Sequence, residues 1–203
     1  MNEVTKREIA GITLSGGQSR RYGTPKALET LDGVPFYNRS IGALQPIVDR
    51  QVIVVHPSLE QHIMKPYDVL MITDEHEFAG HGPLAGIYSA MNIVPASHYI
   101  VLACDMPLMD TETLQILKAV QFYLSKESCV VPVVKGRIQP LAAIYPAAAK
   151  PVIHHLLMNE KRRLVDLLNH LDCIYIKFES KLRSKAFQNV NTPEDYIAIM
   201  NSP

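Results

Sequence analysis

Residues 14–26 read Leu-Ser-Gly-Gly-Gln-Ser-Arg-Arg-Tyr-Gly-Thr-Pro-Lys. They overlap the end of an apolar run, residues 9–14, which predicts a strand buried in a parallel sheet. Gly16 and Gly17 lack a Cβ atom, so successive backbone N–H groups in this turn can approach an anion closely. Positive charge lies beside the turn on Arg20, Arg21 and Lys26. The stretch therefore predicts a loop between a strand and a helix that cradles a triphosphate.

Two familiar phosphate-binding motifs are absent from this stretch. A P-loop requires G-x-x-x-x-G-K-[ST], whereas Lys26 is followed by Ala27 and does not follow a glycine. The dinucleotide fingerprint G-x-G-x-x-G is not present either. A glycine pair after a strand also occurs in tight βα turns that bind no ligand. The loop alone therefore leaves both interpretations open.

Composition restricts the class of protein to which the chain can belong. Its 203 residues, 47% hydrophobic and 20% charged, are typical of a single globular domain with a substantial core. The 20 basic and 20 acidic residues give a formal net charge of zero, which argues against a broad nucleic-acid-binding surface. No apolar run approaches the roughly 18 residues of a membrane span, and the amino terminus lacks a signal-peptide pattern. We expect a cytoplasmic protein with neither a membrane nor a nucleic-acid partner.

The cysteines indicate neither a disulfide framework nor a zinc site. Cys104, Cys129 and Cys173 are odd in number, and no two of them form a C-x-x-C pair. Cys104 is expected to be a small buried side chain rather than a nucleophile, because no partnered base is evident.

Apolar runs alternate with helical patterns along most of the chain. The predicted strands cover residues 9–14, 51–55, 69–72, 99–103, 128–134, 141–145 and 173–178. The predicted helices cover residues 34–44, 58–65, 83–92, 111–124, 147–158 and 164–170, with a last helix from Pro193. This alternation predicts an α/β fold: a Rossmann-like three-layer sandwich around a mainly parallel twisted sheet, in one domain of residues 1–203. Right-handed crossovers would bring the glycine loop, Asp74 and Asp105 to the carboxyl edge of the sheet, where ligands bind.

Asp105 is the strongest catalytic candidate on the basis of its position. It follows the apolar strand 99–103, where burying an uncompensated carboxylate would be unfavourable. Mg²⁺ prefers oxygen ligands and often takes one or two carboxylates together with substrate phosphates. The alternative is an aspartate that caps a helix or lies in a loop. Pro107 and the separate cap candidate Asp110 weaken that alternative.

Lys26 is the second catalytic candidate. At the start of a predicted helix its charge is slightly disfavoured by the helix dipole, so a purely structural role explains it poorly. Beside the glycine loop it would neutralise a triphosphate and stabilise charge on the phosphoryl group being transferred. Arg20 and Arg21 could do the same or could be solvated loop charges.

The string 14–26 resembles the signature L-x-G-G-x-S-x-R-(M/F/Y)-G-x-x-K of nucleotidyltransferases, and most closely that of the molybdenum cofactor guanylyltransferase (MobA) family. Further stretches match at similar spacing along nearly the whole chain: residues 82–86, 104–107, 136–141, 162–163 and 189–195. The chain departs from some relatives at Val55, where they carry asparagine. A nucleotide contact is therefore missing there or moved to His56.

The resemblance implies a set of site residues. The nucleotide would be bound by Leu14, Ser15, Gly16, Gly17, Lys26, Asp74, Gly82 and Asp105, within a nucleotide-binding half of about residues 8–127. Asp105 would also hold the metal, and Arg20 would join Lys26 and Asp105 as a catalytic residue. A phosphate-bearing acceptor would be bound by Arg137, Arg162, Arg163, Asn189 and Asn191, within an acceptor-binding half of about residues 128–203. The guanidinium fork suits phosphate, although Arg162 and Arg163 could also be surface charges.

The implied reaction is the transfer of GMP from Mg²⁺-GTP to the terminal phosphate of molybdopterin that carries molybdenum. It would release pyrophosphate, and transient contacts with other molybdenum cofactor biosynthesis proteins and with target molybdoenzymes would be expected. Three alternatives stay open: a CTP-dependent molybdopterin cytidylyltransferase, a sugar-phosphate nucleotidyltransferase and a non-catalytic nucleotide-binding protein. The cytidylyltransferases usually carry Leu-Ala-Ala-Gly where this chain has Leu-Ser-Gly-Gly, and the extra glycine favours the larger guanine.

Overall fold

The computed structural model describes residues 8–16, 25–124 and 127–200, without the side chains of residues 181 and 182. Gly17, Arg20 and Arg21 lie outside the described residues. The strands are β1 (Ile9–Ser15), β2 (Thr30–Leu31), β3 (Val34–Pro35), β4 (Arg50–Val55), β5 (Val69–Ile72), β6 (His98–Ala103), β7 (Cys129–Val134), β8 (Arg137–Ile138), β9 (Ala142–Pro146) and β10 (Cys173–Lys177). The α-helices are α1 (Phe36–Leu44), α2 (Pro83–Ile93), α3 (Thr111–Tyr123), α4 (Ala149–Met158), α5 (Leu164–Leu168), α6 (Lys181–Ala186) and α7 (Pro193–Met200).

A mainly parallel sheet organises the described residues. Its strand order is β10-β7-β9-β6-β1-β4-β5, with β8 paired to β7 outside this path. Strand β1 lies parallel to β4 and to β6, and β5 continues this parallel arrangement beside β4. Strand β9 is antiparallel to both β6 and β7, so β7 runs in the same direction as β6. The carboxyl ends of β1, β4, β5, β6, β7 and β10 therefore lie along one edge.

Helices cover both faces of the sheet and produce the expected three layers. On one face, Ile12, Val101 and Val131 belong to a cluster completed by buried side chains of α2, α4 and α5. Alternate strand residues such as Ile100 and Leu102 face the other side, where they join side chains of α1, α3 and α6. Because successive side chains of a strand point to opposite faces, a strand that is apolar throughout must be covered on both faces. The α/β fold predicted from the sequence is confirmed.

Two tight turns use backbone conformations that favour glycine. Asp32 and Gly33 have φ angles of 54° and 76°, and Lys135 and Gly136 have φ angles of 49° and 74°. Two successive positive φ angles are typical of the two-residue turns that join antiparallel strands. The first turn joins β2 to β3, and the second joins β7 to β8.

Several predicted boundaries were wrong for local reasons. Residues 58–65 do not form an α-helix capped by Ser58; a 3₁₀ helix spans Pro57–His62, and the His56 side chain caps it by accepting from the Ser58 N–H at 3.3 Å. Helix α1 begins at Phe36, because Val34–Pro35 pairs with β2. Helix α6 was not predicted. None of the helices in the described part of the chain has the length and apolar character needed to span a bilayer.

Candidate nucleotide-binding and acceptor-binding sites

A cavity of about 670 Å³ opens beyond the carboxyl ends of β1, β4, β5 and β6. Its lining includes every described residue that the sequence predicted for nucleotide binding: Leu14, Ser15, Gly16, Lys26, Asp74, Gly82 and Asp105. Their convergence follows from the parallel order of the strands, because Leu14 and Ser15 end β1 and the other residues lie on the segments that follow β1, β5 and β6. The cavity thus lies in the crevice where open α/β sheets bind ligands.

Lys26 joins two segments that are far apart in the sequence. Its Nζ donates to Oδ1 of Asn191 at 2.8 Å and lies 3.5 Å from Oδ2 of Asp105. The contact with Asn191 is possible because the Val190 N–H donates to the carbonyl oxygen of Asp105 at 2.8 Å, which brings the segment before α7 to the end of β6. The carboxylate of Asp195 accepts from the N–H groups of Asn191 and Thr192 and orders this segment at the start of α7.

The carboxylate of Asp105 is held in a largely desolvated position. Burial raises its pKa above the usual 3.8, and the opposing effect of the Lys26 charge is smaller. Its Oδ1 is buried and has no hydrogen-bond partner among the described residues, although the side chain as a whole is 22% exposed. A buried carboxylate oxygen without a partner is unfavourable unless a ligand donates a hydrogen bond to it or a metal ion coordinates it. Asp105 therefore has the donor atom and the position of a metal ligand.

Asp74 lies on the opposite wall of the cavity, after β5. Its Oδ2 accepts from the Gly80 N–H at 3.2 Å, so the loop that begins at Asp74 closes on itself. Burial raises the pKa of Asp74, while the Gly80 hydrogen bond and the nearby rings of His56 and His81 act in the opposite direction. The remaining carboxylate oxygen, Oδ1, faces the start of α2 near Gly86.

Helix α2 begins at the cavity. Gly82 precedes it with φ 75° and ψ −158°, a conformation that only glycine adopts readily, and Pro83 occupies the first helical position. A Cβ atom at Gly86 would lie 3.0 Å from Leu14 Cδ2, so this glycine permits close packing of the helix on β1. The helix N-terminus presents backbone N–H groups and partial positive charge at the cavity wall.

Cys104 lines the cavity but does not have the properties of a nucleophile. It is buried, and desolvation raises the pKa of its thiol to about 12, with a further contribution from the adjacent Asp105 charge. The thiol is therefore protonated at neutral pH, whereas the thiolate is the nucleophilic form. These properties agree with the expectation that Cys104 is a small buried side chain.

A second, more open cavity of about 1130 Å³ lies along the same edge, beyond β7 and β10. Two predicted acceptor-binding residues, Arg137 and Asn189, line it. The lining also contains three basic residues that were not predicted as site residues: Lys135, Lys177 and Lys185. Lys135 directly follows β7 and Lys177 ends β10, and these positions at one edge of the sheet were the available signal; Lys185 belongs to α6, for which the sequence offered none.

The other predicted arginines lie on the connection between α4 and α5. Arg162 Nη2 lies 3.2 Å from Nε2 of His81, a residue of the loop before α2 that was not predicted as a site residue. Arg163 is exposed at the N-cap position of α5, and its side chain does not cap that helix. The structure thus separates the five acceptor candidates: Asn191 binds Lys26, Arg137 and Asn189 line the second cavity, and the two arginines lie on the α4–α5 connection.

Comparison with known proteins shows the same fold and the same family. Residues 11–174 match the model of the MobA-like NTP transferase domain. A probable molybdenum cofactor guanylyltransferase from Bacillus cytotoxicus is 34% identical over 196 residues, which cover 96% of this chain and 97% of that protein. A protein of the same name from Bacillus cereus is 36% identical over 192 residues, 94% of each chain.

The crystal structure of molybdopterin-guanine dinucleotide biosynthesis protein A from Archaeoglobus fulgidus has a TM-score of 0.76 and 25% identity, and the match covers 93% of this chain and 95% of that one. The parallel-sheet topology, the cavity at its carboxyl edge and the matches along nearly the whole chain lead to one assignment. This chain is a nucleotidyltransferase that belongs to the MobA-like NTP transferase family.

Proposed function

We propose that the protein transfers GMP from GTP to the terminal phosphate of molybdopterin that carries molybdenum. The products are the guanine dinucleotide form of the cofactor and pyrophosphate. The observation that carries this proposal is the meeting of Lys26 and Asp105 at one cavity, where Lys26 also donates to Asn191 from the segment before α7. A lysine and a metal-binding carboxylate at one site provide the positioning and charge neutralisation on which phosphoryl transfer depends.

Mg²⁺ fits the Asp105 carboxylate by the chemistry of its donors. The buried Oδ1 has no partner among the described residues, and Mg²⁺ is commonly held by one or two carboxylates together with substrate phosphates. Within the described residues, no group of three or more His, Cys, Asp or Glu side chains could form a metal site made of protein alone. When bound, the ion would neutralise negative charge on the triphosphate. Asp105 is the residue that we propose as its ligand.

The reacting groups follow from the chemistry of the two substrates. An oxygen of the acceptor phosphate attacks the α-phosphorus of GTP, a new P–O bond forms, and the bond to the β-phosphate oxygen breaks to release pyrophosphate. An anionic phosphate is already a nucleophile, so no covalent enzyme intermediate is required. Lys26 would neutralise charge on the α-phosphoryl group, and its bond to Asn191 would keep Nζ in place during transfer.

We propose that residues 8–127 bind the nucleotide. Leu14, Ser15 and Gly16 would follow the phosphates and ribose, while Asp74 and the Gly82 turn would face the base or ribose; all of them line the cavity. Gly17 and the catalytic candidate Arg20 lie outside the described residues, and their proposed roles rest on the family signature. The cavity is supported on both sides by buried side chains, so the nucleotide would meet a largely preformed site.

We propose that residues 128–203 bind the acceptor. Arg137 and Asn189 line the second cavity, and Asn191 connects that segment to Lys26. Arg162 and Arg163 lie on the α4–α5 connection, with guanidinium groups suited to phosphate.

GTP is a cytoplasmic metabolite, so we place the reaction in the cytoplasm. Because the cofactor is labile, we propose that the protein receives its acceptor by direct contact with other cofactor biosynthesis proteins. It would pass the product by direct contact to target molybdoenzymes.

A pyrophosphate-release assay tests the reaction. The protein would be incubated with ATP, GTP, CTP or UTP, each with Mg²⁺ and each with and without molybdopterin. We expect release only with GTP and only when acceptor is present, and EDTA should stop it without altering the circular dichroism spectrum. Equal or faster release with CTP would contradict the assignment of guanine, and tight GTP binding without any release would contradict an enzymatic role.

A further inference from the structure

A hydrogen bond between Arg162 and His81 joins the α4–α5 connection to the loop before α2. The atoms concerned are Nη2 of Arg162 and Nε2 of His81, 3.2 Å apart. A guanidinium group stays protonated and can only donate, so Nε2 of His81 must be the acceptor.

His81 belongs to a loop, residues 74–82, that forms one wall of the nucleotide cavity. Ala79, Gly80 and Gly82 of this loop line the cavity directly. The loop is fixed at its beginning, where the Glu75 N–H donates to Ser89 Oγ at 2.8 Å, and it closes through the bond from Gly80 to Asp74. His81 occupies the remaining position, between the closed part of the loop and the first turn of α2.

The same loop rests on α4 through an aromatic contact. Phe78 is buried, and its ring lies edge-on to His154 of α4 with 5.9 Å between ring centroids. The Phe78 and His81 rings are 6.2 Å apart. Helix α4 therefore supports the loop by packing at Phe78, and the α4–α5 connection supports it by a directional hydrogen bond at His81.

We infer that Arg162 and His81 are positioning residues for the nucleotide: Arg162 acts through His81 to hold the 74–82 loop in the form that binds GTP. The inference rests on the proposed function, since it assumes GTP as the nucleotide. Arg162 uses one N–H group on His81 and keeps others that can face a phosphate of the acceptor. One side chain thus connects the acceptor-binding half to the nucleotide site, and its effect on GTP exists before any acceptor binds.

Binding of a fluorescent GTP analogue without acceptor tests this role. The dissociation constant would be measured for wild type, Arg162→Ala, His81→Ala and the double variant. Loss of a hydrogen bond to a charged group at a partly exposed position predicts about a fivefold weaker affinity in each single variant. The double variant should be no weaker than the singles, because both substitutions remove the same contact.

Three further variants separate positioning from a general structural effect. Lys161→Ala removes an exposed positive charge from the same connection and should leave the dissociation constant unchanged. His81→Gln provides a carbonyl oxygen near the place of Nε2 and should keep most of the affinity, whereas His81→Asn should resemble His81→Ala. In turnover at saturating acceptor, His81→Ala should raise the KM for GTP more than it lowers kcat, whereas Arg162→Ala should raise the KM for the acceptor as well as the KM for GTP.

The outcomes distinguish this inference from the proposed function. Unchanged GTP affinity in Arg162→Ala, or additive losses in the double variant, would overturn the positioning role. Neither result depends on the transfer reaction, since no acceptor is present. Conversely, failure of wild-type protein to release pyrophosphate with GTP and molybdopterin would contradict the proposed function and would not alter the binding comparison.

Discussion

The two cavities at the carboxyl edge of the sheet hold their charged groups in different ways. In the first, the Lys26 and Asp105 side chains are only 16% and 22% exposed and contact each other. In the second, Arg137, Lys135 and Lys177 are exposed. Electrostatic interactions are stronger where water is excluded, and a fixed charge needs no reorganisation during a reaction. The first cavity is therefore suited to catalysis, and the second to capture of an anionic substrate by screened charge.

The largest effect is expected from Asp105→Asn. The change keeps the shape of the side chain but removes the carboxylate proposed to hold the metal, so kcat should fall by about 10³-fold or more. The rate of pyrophosphate release at saturating Mg²⁺ and GTP would measure it. Asp68→Asn, an exposed aspartate in a turn, provides the matched control for charge removal. A wild-type rate in Asp105→Asn would show that catalysis does not depend on the buried carboxylate of the first cavity.

Lys26→Ala should have the next largest effect, a decrease in kcat of about a hundredfold, because it removes the fixed charge that we propose stabilises the transferred phosphoryl group. Asn191→Ala should be milder, about tenfold, since Lys26 would keep its charge but lose the oxygen at 2.8 Å that orients it. Single-turnover rates would distinguish the two. A larger effect of Asn191→Ala would indicate that Asn191 contacts substrate directly.

Gly86→Ala tests the close packing of α2 at the first cavity. The new methyl group would lie 3.0 Å from Leu14 Cδ2, closer than ordinary contact, so Leu14 at the cavity wall must shift, and this shift should weaken GTP binding several-fold. Gly42 in α1 has no atom within 4 Å of the equivalent position. Gly42→Ala should therefore leave GTP binding intact and stabilise the protein by up to about 1 kcal/mol through helix propensity. Isothermal titration and thermal melts would compare the pair, and equal GTP affinity would contradict the packing argument.

Arg137→Ala tests the second cavity. Exposed charges contribute little individually, so the KM for molybdopterin should rise only a few-fold while the KM for GTP stays constant. The KM for molybdopterin should also rise with added salt more steeply than the KM for GTP, because exposed charges are screened. Kinetics between about 0.05 and 0.5 M salt would measure this difference. A parallel rise of both constants would show that the cavities do not differ in this respect.

The smallest effect concerns the dependence of stability on pH. Burial raises the pKa of Asp105 above 3.8, so the folded protein binds this proton more tightly than the unfolded chain. Between 3.8 and the raised pKa, the free energy of unfolding contributed by this group falls as the pH increases. Asp105→Asn should therefore be more stable than wild type above the raised pKa, with the difference vanishing at acid pH. Thermal melts across this range would reveal it, and a difference independent of pH would contradict the cause given.

Much of the first cavity could be predicted from the sequence because its residues follow buried strands. The apolar run before Asp105 and the run before Asp74 identified strands, and the parallel topology then required their ends to meet. The 3₁₀ helix at Pro57–His62 was mistaken for an α-helix, since a capping side chain of His56 is not a signal that propensity provides. Helix α6 was missed because so short a helix is stabilised mainly by tertiary contacts such as that of Ala186 with the core, which no local pattern reveals.

Local patterns were enough to predict the alternation of strands and helices along the chain, the catalytic candidates Lys26 and Asp105, and the resemblance to a family. These properties depend on local patterns and on residues close together in the chain. Only the tertiary structure placed Asn191 beside Lys26, Arg162 beside His81, and the lysines of β7 and β10 around one cavity. The physical reason is that these contacts join segments separated by many residues, and their geometry depends on the packing of whole helices against the sheet rather than on any local preference.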